Sequence, residues 1–194
     1  MSEKDFMTLE KELVSIGTYL KREAVQIRIN DAAEILKRGL RHFLGGDAKW
    51  LMSYNEIADW LSDNKGRGLL CMGGVGLGKS LICARILPIV LYHYANRIIR
   101  VYDATDINEN IDEIKGQKLF IIDDAGVEGI GVKYGNRRNA LAEIVDWCER
   151  SGALMVITTN LTTDQLVEKY GERTMDRLRA TTRKVVFTGK SFRK

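Results

Sequence analysis

Cysteine and proline are scarce in this chain of 194 residues, and long apolar runs are absent. The three cysteines form no C-x-x-C pair, which excludes a disulfide framework and a cysteine-based zinc site. No apolar run approaches the roughly 18 residues that a membrane-spanning helix needs, and the N-terminus is too charged for a signal peptide. We therefore expect a soluble, cytoplasmic protein that does not interact with a membrane.

The composition is typical of a folded domain. Hydrophobic residues make up 45% of the chain and charged residues 29%. Because domains commonly contain about 100–200 residues, we expect one domain with a small appendage. The formal net charge is +4, and positions 171–194 hold eight basic and two acidic residues. Such a stretch indicates a phosphate-bearing partner, a nucleotide or a nucleic acid, although a solvated charged surface would have the same composition.

The N-terminal part of the chain predicts helices. The second helix is predicted to start at Asn30 or Asp31, with Glu34 as the capping-box partner of Asp31. A further capping box at Ser53 is predicted to start a short third helix. Residues 1–45 form two amphipathic helices in this interpretation, because apolar residues recur at helical spacing. In the first helix they are Leu9, Leu13, Ile16 and Leu20, and in the second Ile35, Leu36, Leu40 and Phe43.

Strands and helices alternate in the rest of the chain. Short apolar runs predict five strands, at 68–72, 98–102, 119–122, 153–158 and 184–187. Helices are predicted at 79–94, 139–150, 163–170 and 172–179, with Pro88 bending the first of them. This order is typical of an α/β fold, a parallel sheet with helices on its faces. We place that core at residues 51–194 and treat 1–45 as a separate helical segment.

The first predicted strand leads into a glycine-rich loop that matches the pattern G-x-x-x-x-G-K-[ST] in full. In such a loop, backbone N–H groups point at a bound phosphate, and the following helix adds its positive end. The lysine reaches the β- and γ-phosphates, and the serine hydroxyl ligates Mg²⁺. A glycine-rich turn with an incidental lysine is the alternative, but the flanking strand and helix favour nucleotide binding. The predicted nucleotide-binding residues are Gly73, Gly74, Val75, Gly76, Leu77, Gly78, Lys79, Ser80 and Leu81.

Two carboxylates follow the third predicted strand. Asp123 is expected beside Ser80, where it would hold the water shell of Mg²⁺. Asp124 is expected to orient or deprotonate the water that attacks the phosphate. The alternative is that Asp124 only starts a turn. Together with the phosphate loop, the two acidic residues indicate hydrolysis as well as binding.

A polar residue also follows the fourth predicted strand. Asn160 would lie at the carboxyl end of the sheet, where parallel sheets bind ligands, and could hydrogen-bond the γ-phosphate or the attacking water. The alternative is an asparagine that caps a helix or forms a turn. Thr162 and Gln165 already have capping-box spacing just after it.

These motifs occur in a characteristic order. The phosphate loop is followed by Asp-Asp-Ala-Gly at 123–126, Thr-Thr-Asn at 158–160, Gly-Glu-Arg-x-x-x-Arg-Leu at 171–178 and Gly-Lys-Ser-Phe-Arg at 189–193. The series resembles the AAA+ ATPases of the DnaC/DnaI helicase-loader and IstB transposition-helper group, over residues 51–194. The resemblance implies a P-loop NTPase fold with a five-stranded parallel sheet and no lid domain.

The resemblance also implies a role for each matching residue. Lys79, Ser80 and Asp123 would bind ATP and Mg²⁺. Asp124 would be the catalytic carboxylate and Asn160 the first sensor. The cofactors implied are therefore ATP and Mg²⁺.

Three arginines complete the implied site. Arg177 matches an arginine finger that acts on the ATP of a neighbouring subunit, so a homo-oligomer is implied when ATP is bound. Arg193 matches the second sensor, and Arg173 an accessory residue near the subunit interface. Without the resemblance, Arg177 would be read as a surface arginine paired with Asp176 or Glu172.

The leading hypothesis from this resemblance is an ATP-hydrolysing helicase loader in DNA replication. Its partner would be a replicative DNA helicase, with the helical segment 1–45 as the docking element. Only residues 103–117 separate the second and third strands, where loaders usually carry a helical insertion that contacts single-stranded DNA. The basic residues Lys133, Arg137 and Arg138, or the basic C-terminal stretch, are the alternative route to DNA.

Three other functions agree with parts of the pattern. A transposition-helper ATPase would share the motifs. An ATP-gated module that binds a helicase with little turnover would agree with Asp124, because many AAA+ enzymes carry glutamate at that position. A small-molecule kinase has a similar length and loop, but paired acidic residues followed by Thr-Thr-Asn are more typical of NTPases.

Overall fold

The computed structural model describes residues 2–18, 24–46, 48–129, 131–133, 136–189 and 191, with the backbone alone at 131–133 and 136–138. The strands are β1 (Gly68–Gly73), β2 (Arg100–Asp103), β3 (Leu119–Ala125), β4 (Gly131–Lys133), β5 (Asn136–Arg138), β6 (Leu154–Thr159) and β7 (Thr182–Phe187). The helices are α1 (Glu3–Ser15), α2 (Ala32–Leu44), α3 (Met52–Ser62), α4 (Leu87–Ala95), α5 (Ile107–Lys115), α6 (Ala140–Ser151), α7 (Thr163–Tyr170) and α8 (Glu172–Thr181). A π-helical stretch, Leu81–Ile86, leads directly into α4.

Five strands form one parallel sheet in the order β2-β3-β6-β1-β7, and β4 and β5 form a separate antiparallel pair. Every residue of β6 is buried, as are the first four of β3. Strands covered on both faces lack polar alternation, which is why they appear in the sequence as continuous apolar runs. The predicted α/β fold with a five-stranded parallel sheet is confirmed.

Helices cover both faces of this sheet. On one face, Leu69 and Val156 pack in a cluster with α2, α3 and the helix that follows the glycine loop. On the other, Leu70 and Ile157 pack with α5, α6, α7 and α8. Neighbouring residues of a strand thus enter opposite cores, as the two-residue period of a strand requires. No helix in the described part of the chain combines the length and the apolar character that crossing a membrane requires.

The strand order determines which polar residues meet. β6 lies between β1, which enters the glycine loop, and β3, which contains Asp123 and Asp124 near its carboxyl end. Asn160 follows β6 directly, so it lies between the loop and the two carboxylates. The carboxyl end of the sheet is therefore the place where the predicted site residues are assembled.

The two predicted N-terminal helices differ in their packing. α1 buries none of its residues. α2 buries Ile35, Leu36 and Leu40 in the same cluster as Leu69 of the sheet. The second helix is therefore packed as part of the α/β core, and the first is not.

Two predicted capping boxes are wrong. Asp31 precedes α2 with a φ of 54°, and its side chain accepts no capping hydrogen bond. α3 begins at Met52, so Ser53 lies inside the helix, and its buried hydroxyl has no hydrogen-bond partner among the described residues. The box formed by Thr162 and Gln165 at the start of α7 is confirmed, with both of its hydrogen bonds present.

Pro88 coincides with a change in helical winding. The N–H of Leu87 donates to the carbonyl of Ile82, five residues earlier, and α-helical winding follows. Proline lacks an N–H, and its ring would clash with the carbonyl four residues earlier in an α-helix. The wider π-helical winding before Pro88 relieves that contact.

Candidate functional site

The glycine loop after β1 adopts a backbone that requires glycine at two positions. Gly73 has a φ of 145°, and a Cβ there would lie 2.3 Å from the carbonyl oxygen of Phe187. Gly78 has a φ of 85°, and a Cβ there would lie 2.9 Å from the hydroxyl oxygen of Tyr54. Side chains at these positions would both strain the backbone and displace its neighbours. The loop is thus fitted closely against β7 and α3.

Tyr54 of α3 forms the support beneath this loop. The side chain is fully buried and packs edge to face against Trp50 and Phe187. Its hydroxyl has no hydrogen-bond partner among the described residues. Burial raises the pKa of Tyr54 to about 12, because ionisation would place a charge in an apolar environment.

Lys79 is buried at the end of the loop and is held by three oxygen atoms. Its side-chain nitrogen donates to the carbonyls of Gly73 at 2.7 Å and Gly74 at 2.9 Å, and to Oδ1 of Asn160 at 2.8 Å. Burial lowers the pKa of Lys79, and the nearby carboxylates of Asp124 and Asp123 oppose this shift. The ammonium group is thus placed inside the loop, where a phosphate group would bind.

Asp123 and Asp124 lie in a β-bulge at the end of β3. Ile122 pairs with Ile157, but the next pair is Ala125 with Thr159, so the two aspartates together stand opposite Thr158. Asp124 has a φ of 60°, a left-handed conformation that is uncommon for residues other than glycine. The extra residue therefore turns successive carboxylates toward the carboxyl end of the sheet.

Asn160 connects the lysine to the second carboxylate. Its Oδ1 accepts from Lys79, and its Nδ2 donates to Oδ1 of Asp124 at 2.5 Å. Because Thr162 caps the following helix, the side chain of Asn160 is not needed as a cap. Lys79, Asn160 and Asp124 form one hydrogen-bonded series.

A cavity of about 550 Å³ opens in front of this series. Ser80 is exposed there, at the start of the helix that follows the loop. The residues that line the cavity are Leu44, Val75, Gly76, Leu77, Gly78, Lys79, Ser80, Leu81, Asp124 and Asn160. All of them except Leu44 belong to the residues predicted from the sequence as part of the site.

Arg173 and Arg177 do not line this cavity. Arg177 of α8 forms ion pairs with Asp146 and with Glu149 of α6, the latter at 2.7 Å. Arg173 is exposed one helical turn earlier. Arg193 lies outside the described residues. The acidic partners of Arg177 differ from the Asp176 or Glu172 pairing considered as the alternative, and no sequence pattern indicated them.

Sequence reasoning did not identify Thr158 or Tyr54 as part of the site. Thr158 and Thr159 are buried polar residues at the end of an otherwise apolar strand, and that contrast was the available signal. Tyr54 had none, because its position beneath the loop depends on how α3 packs.

No protein-family model matches the chain. A curated relative, the ribose-phosphate pyrophosphokinase of Pyrococcus furiosus, is 28% identical over 124 residues, which are 63% of this chain and 44% of that protein. The chain thus spans less than half the length of this relative, and a match of this extent does not assign a family.

Among solved structures with this fold is the DnaC helicase loader, with a TM-score of 0.59 at 17% identity over 72% of this chain and 92% of that one. DnaI has a TM-score of 0.53 at 20% identity, over 90% and 92% of the two chains. AMPPCP-bound DnaA from Aquifex aeolicus has a TM-score of 0.53 at 14% identity, over 70% of this chain and 45% of that one. The resemblance to the DnaC/DnaI group is confirmed at the level of the fold, which is that of AAA+ P-loop proteins.

Proposed function

We propose that the chain is an ATPase of DNA replication, which binds ATP with Mg²⁺ and hydrolyses it to ADP and phosphate. The observation that carries this proposal is the hydrogen-bonded series of Lys79, Asn160 and Asp124 in front of the glycine loop. A cation for the phosphates and a carboxylate for the attacking water are the groups that phosphoryl transfer to water requires. The AMPPCP-bound state of DnaA, a neighbour in fold, supports a nucleoside triphosphate as the ligand.

In the proposed reaction each side chain has a defined task. The ammonium group of Lys79 would exchange its contacts with the loop carbonyls for the β- and γ-phosphate oxygens. Phosphate charge favours the protonated amine, which offsets the burial that lowers the pKa of Lys79. Asp124 would accept a hydrogen bond from the attacking water, and Asn160 would fix the position of that carboxylate.

The side chains at the site fit Mg²⁺. Ser80 offers a hydroxyl and Asp123 a carboxylate, both hard oxygen ligands. In the described part of the chain, no three His, Cys, Asp or Glu side chains group closely enough to hold a metal ion alone. Ser80 and Asp123 would therefore share the ion with phosphate oxygens and water, as is usual for Mg²⁺ in nucleotide sites. When bound, Mg²⁺ would neutralise charge on the phosphates.

We propose a replicative DNA helicase as the partner, with the chain acting as a loader. The fold it shares with the DnaC helicase loader supports this role. Within segment 1–45 we propose α1 as the docking element, because the apolar side chains of this helix and of the residue that follows it are exposed instead of packed on the core: Phe6, Met7, Leu9, Leu13, Val14 and Ile16. Single-stranded DNA is a second proposed ligand, contacted by the basic hairpin β4–β5 or the basic C-terminal stretch.

We propose further that ATP-bound copies assemble and that Arg177 acts on the ATP of its neighbour, with Arg173 and Arg193 as accessory residues. The position of the Arg177 guanidinium is fixed, because it forms ion pairs with Asp146 and Glu149 of α6. Fixed guanidinium groups contribute roughly 10³–10⁵ in rate to reactions of this class.

The loader role is tested by measuring native mass after mixing the chain with the replicative helicase of its source organism, with and without ATP and Mg²⁺. A defined complex that depends on ATP is expected for the wild type and not for Lys79→Ala. Leu9→Asp combined with Leu13→Asp should remove the complex but leave nucleotide binding intact, because these residues lie on α1. Glu12→Ala, on the same helix, is the matched control and should bind as the wild type does.

The same measurement separates the alternatives. If no complex forms while ATP drives self-assembly on DNA, the loader role is wrong and a transposition helper takes its place. If Arg177→Ala keeps the helicase complex and the wild type turns over little ATP, the chain is an ATP-gated binding module. The pyrophosphokinase activity named for the archaeal relative is not proposed, because the match covers only 44% of that protein.

A further inference from the structure

A single buried hydroxyl connects both aspartates of the bulge. Oγ1 of Thr158 donates to Oδ1 of Asp123 at 2.5 Å and accepts from the backbone N–H of Asp124 at 2.8 Å. Thr158 itself is 1% exposed. The Thr158 hydroxyl therefore donates a hydrogen bond to the side chain of Asp123 and accepts one from the backbone of Asp124.

The bulge explains why this hydroxyl is needed. Where two residues oppose one, the regular ladder cannot pair every backbone group, and Asp124 is the extra residue of β3. Its N–H would be left without a strand partner, and its φ of 60° is disfavoured unless the surroundings hold it. Thr158 supplies the missing acceptor from the neighbouring strand.

The neighbouring threonine shows that this contact is particular to one position. Oγ1 of Thr159 donates to the carbonyl of Ala125 and accepts from the N–H of Leu161, so it bonds backbone groups only. Thr158 alone of the two contacts a carboxylate. Its hydroxyl sets the rotamer of Asp123 through the side chain and the backbone of Asp124 through the amide.

We propose that Thr158 is a positioning residue, which aims Asp123 at the Mg²⁺ ion and Asp124 at the attacking water. The inference rests on the proposed function, since it assigns Thr158 to the same site. Removing such a partner from a metal-binding carboxylate typically costs about 10–100-fold in metal affinity or activity.

The test compares Thr158→Val, which has nearly the same shape without the hydroxyl, with Thr158→Ser, which keeps it. Thr182→Val is the matched control, because Thr182 is also a buried strand residue, and its hydroxyl donates to the carbonyl of Leu178 far along the chain from the aspartates. Binding of a fluorescent N-methylanthraniloyl derivative of ATP is titrated with Mg²⁺, and phosphate release and thermal unfolding are recorded for each protein.

For Thr158→Val we expect the Mg²⁺ concentration at half-saturation to rise, and the turnover number to fall, by about 10-fold or more. Nucleotide binding without Mg²⁺ should stay within about twofold of the wild type. Thr158→Ser should recover most of both losses. Thr182→Val should change thermal unfolding only. If Thr158→Val matches the wild type in Mg²⁺ dependence and turnover, or if Thr182→Val shows the same losses, the positioning role is wrong. Failure of the wild type to bind the nucleotide would instead contradict the proposed function.

Discussion

Single residues of the glycine loop and the bulge adopt backbone conformations that most side chains disfavour. Gly73, Gly78 and Asp124 all have positive φ values, and each adjoins the cavity or the lysine that faces it. Strain of this kind persists only where neighbouring contacts hold it, and it is concentrated at functional sites. Substitutions at these positions therefore report on the site more directly than substitutions in the core.

Gly73→Ala is expected to destabilise the protein by more than about 1 kcal/mol and to remove nucleotide binding. The added Cβ would overlap the carbonyl oxygen of Phe187. This oxygen is a backbone atom of β7, which pairs with β1, so it cannot shift without distorting the sheet. Urea denaturation and nucleotide titration measure the two effects. Gly46→Ala is the control, because nothing lies within 4 Å of its added Cβ, and it should behave as the wild type.

Tyr54→Phe is expected to leave the free energy of unfolding at neutral pH unchanged or slightly higher. The variant should also lose less of this free energy than the wild type as the pH rises above 9. An unfolded tyrosine has a pKa near 10, and burial raises the pKa of Tyr54 to about 12. Between these values the unfolded state has lost a proton that the folded state keeps, so stability falls as pH rises. Denaturation at pH 9, 10 and 11 measures this slope, and an equally steep loss in Tyr54→Phe would contradict the assignment.

Among the secondary-structure elements, those with a strong local pattern were the predictable ones. The buried strands, the glycine loop and the capping box at Thr162 follow directly from apolar runs and turn chemistry. α5 is absent from the prediction, although Ile107, Ile111 and Ile114 have helical spacing, because nine residues rich in Asn, Asp and Glu form a weak pattern. The bulge of β3 and the position of Tyr54 depend on contacts between distant strands and helices, which sequence periodicity does not encode.

A polar contact fixes the segment before α2 to the turn after α3. Asn64 is 3% exposed, and its Oδ1 accepts from the N–H of Ile27 at 2.8 Å while its Nδ2 donates to the carbonyl of Val25 at 2.9 Å. Asn64→Ala would leave these backbone groups without their partner and should cost roughly 1–3 kcal/mol in the free energy of unfolding. Asn110→Ala, which removes one exposed hydrogen bond, should cost less than about 0.5 kcal/mol in the same urea titration. Equal losses of unfolding free energy in the two variants would mean that the buried hydrogen bonds of Asn64 stabilise the fold no more than the exposed one of Asn110.

For the molecule as a whole, the arrangement of Arg177 predicts that activity depends on assembly. This arginine of α8 is partly buried against α6, where it pairs with Asp146 and Glu149, and it does not line the cavity of its own chain. A lone subunit would then lack one part of the proposed site, and a neighbour would supply it.

Mixing two inactive variants tests this dependence. Arg177→Ala should lower the turnover number by roughly 10³ or more while ATP still binds, and Lys79→Ala should lose ATP binding. Mixed together, Lys79→Ala subunits would present Arg177 to the ATP held by Arg177→Ala subunits, so phosphate release should partly return. No recovery at any mixing ratio, although mixed assemblies form, would contradict a finger acting between subunits.

We propose that ATP is bound and hydrolysed at the carboxyl end of this sheet. The most direct measurement is phosphate release by the full chain with ATP and Mg²⁺, over a range of protein concentrations, for the wild type, Lys79→Ala and Asp124→Asn. We predict release by the wild type that rises with assembly, and loss in both variants, with ATP binding retained only by Asp124→Asn. Absence of ATP binding by the wild type, or full activity in Lys79→Ala, would contradict the claim.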